Sequence, residues 1–243
     1  APNISISGPS MVGSGIPATF TANGPAGATY SWTLNGATPS STTGASATAT
    51  WAAAGTYNVI LTAIVSGSTL RDTLAVTVQN CAINTFPYEM GFEASDDMTC
   101  WGIYDQDGDS YSWSSTNNYF NSEPDLTHSG NAAFGSASFI NDIGALTPDN
   151  WLVSPQVQLA SGHTYTLTWW DGAVDADYYD EHYSVYVSTT GNQPSSFTAT
   201  PVFSTTLTTA NYTQRTVDLS SYAGQNIYIA FRHLNSEDVY WLL

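Results

Sequence analysis

Hydrophobic and polar residues alternate in short runs along the first 80 residues of the chain, for example at 4–6, 18–22, 30–32, 57–62 and 74–78. A repeat of two places successive side chains on opposite faces, and Gly, Pro and Asn separate the runs, so each run is predicted to be a half-buried antiparallel strand. About seven short strands in a segment of this length predict an immunoglobulin-like sandwich, with Trp32 in its core.

The composition changes at residue 81, because nearly all the acidic residues and most of the tryptophans follow it. Strand candidates in this second part are residues 164–170, 182–187, 216–219 and 227–232. No stretch has a useful helical period, so a two-sheet jelly roll is predicted. The predicted fold class is all-β, with an immunoglobulin-like domain at 1–80 and a β-jelly-roll domain at 81–243. The apolar run 239–243 has strand character, and we expect this strand to continue beyond it.

The chain has 3 Lys and Arg residues against 20 Asp and Glu residues, a formal net charge of −17. The three cations are Arg71, Arg215 and Arg232, too few to neutralise nucleic-acid phosphates or to bind an anionic membrane. The sequence contains no run of about 18 apolar residues, so no membrane span is predicted. Divalent cations are therefore the expected partners of the acidic clusters. The low content of charged residues, 9%, and the 13% aromatic residues are typical of a secreted β protein.

Cys81 and Cys100 are the two cysteines of the chain. We expect a disulfide between them, which would stabilise the fold by roughly 3 kcal/mol through closure of a loop of about twenty residues and would indicate an oxidising compartment. Two free buried thiols are the alternative.

Asp105, Asp107 and Asp109 occupy alternate positions, with Gly108 among them. This spacing lets three carboxylates converge on one cation, while the glycine allows the backbone to curve tightly. We interpret the segment as a calcium-binding loop, and a solvated acidic turn is the alternative. An EF-hand does not account for it, because Thr116 stands where the bidentate Glu belongs and the glycine is one place early.

Other acidic residues leave two interpretations open. Asp149, after Pro148, could ligate a metal or cap a turn with its side chain. A longer acidic run between two predicted strands could hold a second cation or form a solvated loop. That run consists of Asp171, Asp175, Asp177, Asp180 and Glu181.

No catalytic centre is predicted, and we expect that the chain is not an enzyme. The sequence has no Ser-His-Asp signature, phosphate loop or nucleotide motif. His182 and His233 have no His or Cys at metal spacing, so core or supporting positions on strands are expected instead of zinc ligation. Carboxylates near aromatic residues could suggest a glycosidase, but the sequence gives no separation between an acid and a base.

Aromatic residues near the aspartate loop are candidates for binding a sugar, although each could equally fill the core. They are Trp101, Tyr111, Trp113 and Tyr119.

The first 80 residues resemble the polycystic-kidney-disease (PKD) domain. The resemblance rests on Tyr30-Ser31-Trp32, Asn35-Gly36, Trp51 and the strand at 54–62. The acidic-glycine turn of that family is replaced by residues 33–36 here. The resemblance implies a spacer or accessory module.

The second part, over residues 88–243, resembles the cleaved-adhesin family, also called the choice-of-anchor J domain. Five blocks in the same order carry the resemblance, at 91–93, 105–113, 147–155, 181–192 and 229–241. It implies a β-jelly roll with structural calcium, displayed at the surface of a Gram-negative bacterium and serving adhesion. Glu93 is where related jelly rolls anchor a bridging calcium, at a predicted strand start after Phe92.

Together these patterns predict a non-catalytic, calcium-stabilised adhesion or binding module of a secreted bacterial protein at the cell surface. Its expected partners are host or matrix proteins or glycans, and its expected cofactor is calcium. The alternative is a carbohydrate-binding accessory module of a larger secreted peptidase or glycanase.

Overall fold

The computed structural model describes residues 3–120 and 126–243. The chain is built almost entirely of strands, so the predicted all-β class is confirmed. It forms two compact units, Ala1–Cys81 and Ala82–Leu243, called here the first and second unit. None of the helices in the described ranges has the length and apolar character that a membrane crossing needs.

The first unit is a sandwich of two sheets, with strand orders β1-β3-β6 and β2-β8-β7-β4-β5. Its longest element is the hairpin of β7 and β8, in which Ser66 and Gly67 form the turn with positive φ. The strands are β1 Ser5–Ser7, β2 Met11–Gly13, β3 Ala18–Asn23, β4 Thr29–Leu34, β5 Ser41–Thr43, β6 Ser46–Ala49, β7 Gly55–Val65 and β8 Ser68–Gln79.

Alternate residues of these strands meet in one apolar core. Trp32 is 2% exposed and Trp51 is wholly buried, which confirms the predicted place of Trp32 in the core. Each indole N–H donates to a backbone carbonyl, that of Gly44 for Trp32 and that of Asn35 for Trp51. The polar atoms of both rings are thus satisfied inside the sandwich.

The second unit contains a six-stranded sheet in the order β18-β17-β20-β14-β9, with β15 also paired to β20. Smaller groups are β10-β11-β21, β12-β13 and β16-β19. The strands are β9 Gly102–Asp105, β10 Ser114–Ser115, β11 Phe134–Ala137, β12 Phe139–Ile140, β13 Gly144–Ala145, β14 Asn150–Val153, β15 Val157–Gln158, β16 Thr166–Asp171, β17 His182–Ser188, β18 Phe203–Thr206, β19 Thr213–Asp218, β20 Asn226–His233 and β21 Trp241–Leu242; a short helix, α1, spans Asn117–Phe120.

The core of the second unit lies between the six-stranded sheet and the smaller groups. Leu152 of β14, Val185 of β17 and Ile229 of β20 pack in one cluster with Leu242 of β21, and Trp169 of β16 packs against it. This two-layer arrangement is a β-sandwich, as predicted.

Two local features differ from the sequence interpretation. Gly91–Glu93 is not part of a strand, and Phe92 has a φ of 58°, a left-handed conformation that a strand start does not adopt. Its ring instead stacks on Phe134 at a centroid distance of 5.2 Å. In the run 239–243, the strand is confined to Trp241–Leu242, which pairs with β11.

Both cysteines are disulfide-bonded, so the predicted bond between Cys81 and Cys100 is confirmed and the alternative of free thiols is wrong.

Candidate functional site

The aspartate loop, residues 105–109, begins where β9 ends. Asp105 is the last residue of this strand and lies opposite Asn150 of β14. Its carboxylate accepts the backbone N–H groups of Gly108 at 2.6 Å and Ser110 at 2.8 Å, which curl the chain back over the strand end. Gly108 has a φ of 80°, the left-handed region that glycine enters without a steric cost.

Carboxylates of Asp105, Asp107 and Asp109 come together as the spacing predicted. One ligand oxygen from each lies within 4.8 Å of the others. The pKa of Asp107 is raised to about 6, first by burial and then by its hydrogen bond to the Asp105 carboxyl. Burial also acts to raise the pKa of Asp105, but the hydrogen bonds from Asp107 and from the backbone outweigh it, so that pKa is lowered.

The donor set of this loop is suited to a hard divalent cation. Three carboxylates offer oxygen ligands, and Ca²⁺ accepts oxygen ligands in irregular geometry more readily than Mg²⁺. Within residues 3–120 and 126–243, the structure has one group of three or more His, Cys, Asp or Glu side chains that are close enough to hold one ion, and it consists of these three aspartates.

Glu93 is not part of that group. Its carboxylate accepts the backbone N–H of Asn131 at 2.9 Å and 3.2 Å, and its own N–H donates to Asp96. Gly130, with a φ of 73°, lies so close that a Cβ there would overlap the Glu93 carboxylate. Glu93 therefore ties residues 91–93 to the segment before β11 in this structure.

Asp149 is also outside the group but touches the loop. Its backbone N–H donates to Asp107 at 2.8 Å, and its carbonyl accepts the N–H of Gln106 at 3.0 Å. Its carboxylate accepts Nε of Arg232 at 2.7 Å, Nη2 of Arg232 at 2.8 Å and Nε1 of Trp151 at 2.8 Å. The residue thus joins the loop to β20 through an ion pair.

Sequence reasoning missed Arg232 as the partner of Asp149. The two residues are 83 positions apart, so no local pattern connects them. The composition did offer one indication. Arg232 is one of only three Lys and Arg residues in a chain with twenty Asp and Glu residues, so an ion pair with one of these carboxylates could be expected.

The aromatic candidates separate by burial. Trp101 and Trp113 are 9% and 7% exposed and belong to the core cluster, which leaves them little surface for a sugar. Tyr111 is half-buried. Tyr119 is 43% exposed, and its ring lies 4.7 Å from that of Trp241.

The acidic run from Asp171 to Glu181 is neither a cation cluster nor a fully solvated loop. Asp171 is buried and accepts Nε of Arg215 at 2.9 Å and the hydroxyl of Tyr183. Glu181 is wholly buried. Arg215 of β19 lies 44 positions from Asp171, and His233 of β20 lies 52 positions from Glu181. The charge pattern alone could therefore not reveal this burial.

Glu181 is the centre of a buried polar network. One carboxylate oxygen accepts the Ser138 hydroxyl at 2.8 Å and the N–H of Tyr240 at 2.9 Å, and the other faces His233 Nε2 at 2.9 Å. Burial raises the pKa of Glu181, but the hydrogen bonds and the charge of His233 outweigh burial, so the pKa is lowered.

This network places Ser136, His233 and Glu181 in a hydrogen-bonded row, with Ser136 Oγ 2.8 Å from His233 Nδ1. The order resembles a hydrolase triad. All three residues are 0% exposed, so a substrate cannot reach the serine hydroxyl. The row therefore acts as a structural link between β11, β20 and the residue that precedes β17.

The fold and site define a two-unit β-sandwich protein with an acidic loop at a strand end. The Cleaved Adhesin Domain family matches residues 87–243, and the PKD domain family matches residues 3–78. The chain belongs to the cleaved adhesin family, and its first unit is a PKD domain. Both resemblances seen in the sequence are confirmed.

Similar proteins come from Porphyromonas gingivalis. Hemagglutinin A is 37% identical over 162 residues, which cover 58% of this chain and 6% of that protein. Gingipain R1 is 36% identical over 171 residues, which cover 64% of this chain and 9% of that protein. The chain thus spans less than a tenth of the length of these curated relatives.

Solved structures match the second unit. The crystal structure of the K1 cleaved adhesin domain of Lys-gingipain is 35% identical, with a TM-score of 0.54, covering 63% of this chain and 90% of that domain. The K3 domain of the same protein is 37% identical, with a TM-score of 0.50, covering 59% of this chain and 85% of that domain.

Proposed function

We propose that this chain is a non-catalytic, calcium-stabilised binding module of a secreted bacterial protein, acting in adhesion at the cell surface. Membership of the cleaved adhesin family supports the adhesive role. The convergence of three aspartate carboxylates within 4.8 Å supports the calcium. The buried state of the Ser136, His233 and Glu181 row supports a binding role over a catalytic one.

Asp105, Asp107 and Asp109 would hold the calcium ion. The bound ion would supply positive charge that offsets the repulsion among the three carboxylates. The chain's own residues transmit the order of the loop, because Asp107 binds the backbone of Asp149, and Asp149 in turn holds Arg232 of β20. An ordered loop therefore fixes the turn that precedes β14.

Membership of the family and the disulfide both support secretion and surface display. A disulfide persists in oxidising compartments, which include the bacterial periplasm and the cell exterior. Hemagglutinin A and the gingipains supply the analogy for an adhesive role. Host or matrix proteins and glycans are the partners that we propose for such a module.

Calcium titration calorimetry of the whole protein tests the metal site. We expect the wild-type chain to bind calcium, and an Asp107→Asn variant to bind at least tenfold more weakly, because one charged ligand is lost. Asp180→Asn is the matched control, since Asp180 is an exposed aspartate outside the group. Equal affinity for calcium in the wild type and the Asp107→Asn variant would refute this ligand assignment.

A further inference from the structure

A groove of about 380 Å³, lined by both polar and apolar atoms, lies next to the aspartate loop in the second unit. Its volume is within the range of roughly 300–1,000 Å³ that is common for small-molecule sites. The groove is here called the Arg232 groove and is lined by Thr147, Pro148, Asp149, Arg232, Leu234, Asn235, Ser236 and Glu237.

The guanidinium of Arg232 is held rigidly in this groove. Two of its nitrogens donate to Asp149, at 2.7 Å and 2.8 Å, and its Cζ lies 4.7 Å from the ring centroid of Trp151. A guanidinium carries five N–H groups, so donors remain beyond those that the ion pair uses. Polar groups fixed before binding lose little conformational entropy when a ligand arrives.

One wall of the groove is a loop anchored from the protein interior. Ser236 is 6% exposed, and its hydroxyl accepts the backbone N–H of His182 at 2.7 Å. Asn235 and Glu237, on either side of it, are exposed. Asn235 has a φ of 55°, a left-handed conformation that costs free energy in a residue other than glycine.

The charges of the groove disfavour an anionic ligand. Asp149 and Arg232 offset each other as an ion pair, and Glu237 adds an exposed carboxylate. Because the ion pair offsets the charge of Arg232, an anionic ligand would face the uncompensated Glu237 carboxylate and a chain of net charge −17. A ligand with many hydroxyls can donate to Glu237 and Asn235 and accept from Arg232, while Pro148 and Leu234 offer apolar contact.

We propose that the Arg232 groove binds a neutral saccharide, with Arg232, Asn235 and Glu237 making the polar contacts. The proposal rests on the proposed function, because it names a ligand class and a site for a binding module. It does not require a cation in the aspartate loop, since none of the three polar contacts is one of the loop aspartates.

An array of neutral, sialylated and sulfated oligosaccharides, probed with the whole protein, tests the proposal. We expect retention on neutral oligosaccharides, and a free neutral oligosaccharide from the array should compete. Asn235→Gly keeps the left-handed backbone but removes the amide, and Glu237→Ala removes the carboxylate. Each should weaken binding about tenfold, while Asn226→Ala and Asp180→Ala, at exposed positions outside the groove, should not.

Several results would overturn the proposal: an array without retention, retention confined to sialylated or sulfated oligosaccharides, or retention that both groove variants keep in full. Calcium titration provides the separate readout of the metal site. If the wild-type protein is retained on neutral oligosaccharides but binds no calcium, the calcium site alone is overturned. If it binds calcium but is not retained on neutral oligosaccharides, the saccharide site alone is overturned.

Discussion

Replacing Glu181 by alanine is expected to lower the free energy of unfolding of the second unit by about 3–5 kcal/mol. Glu181 is 0% exposed, and its carboxylate accepts from Ser138 and Tyr240 and faces His233. The substitution leaves all three groups without this acceptor in a site that water does not reach. Urea denaturation gives the free energy, and amide hydrogen exchange should place the loss in β17, β20 and β21.

Asp180→Ala is the control for that substitution, because it removes an exposed carboxylate from the adjacent position. Its effect should stay within about 0.5 kcal/mol. If the two variants were equally stable, the buried network would make no net contribution and the structural role assigned to it would be wrong.

The Glu181 carboxylate should also make the stability of the second unit depend on pH. Its folded-state pKa lies below the ordinary value, so its stabilisation is complete above the unfolded-state pKa of about 4.3 and is lost as the pH falls towards the folded-state pKa. Below about pH 4.3, the wild-type protein should therefore lose stability more steeply than a Glu181→Gln variant. If the free energy of unfolding fell equally steeply with pH in the wild type and in the Glu181→Gln variant, this prediction would be wrong.

Replacing Trp51 by alanine is expected to destabilise the first unit by about 3–5 kcal/mol. The ring is fully buried, packs edge-on against Phe20 at 6.1 Å and donates to the Asn35 carbonyl at 2.7 Å. Removal leaves a cavity and an unpaired carbonyl. Urea denaturation followed by circular dichroism measures the loss.

A Trp51→Phe variant separates the two contributions, because it keeps much of the ring volume but lacks the indole N–H. Its loss should be smaller than that of Trp51→Ala but should exceed about 1 kcal/mol. Hydrogen exchange should place both losses in β3 and β7, whose Phe20 and Tyr57 lie against the ring. Unchanged protection there would contradict the packing described for this core.

Period-two alternation predicted the longer strands, such as β7, β17 and β20, because it depends on neighbouring residues and on one buried face. The convergence of Asp105, Asp107 and Asp109 was also visible, since alternate positions in a tight loop lie close together. Both predictions rest on local geometry, which the sequence expresses directly.

Features created by distant contacts were not predictable. Phe92 takes a left-handed conformation in a segment where its ring packs on Phe134, far from it in sequence. The run containing Asp171 and Glu181 was interpreted as a cation site or a solvated loop, because their partners Arg215 and His233 are supplied by later strands. Charge patterning locates the acidic residues along the chain but not the distant residues that pair with them in the fold.

The most direct test of the calcium-stabilised module is a thermal melt of the whole protein in EDTA, in calcium and in magnesium. At a calcium concentration of about 100 times the dissociation constant, binding to the folded state should add about 2.7 kcal/mol and raise the midpoint by several degrees. Magnesium should raise it less, and Asp107→Asn should lose most of the rise. The same midpoint in EDTA and in calcium would contradict the structural calcium site.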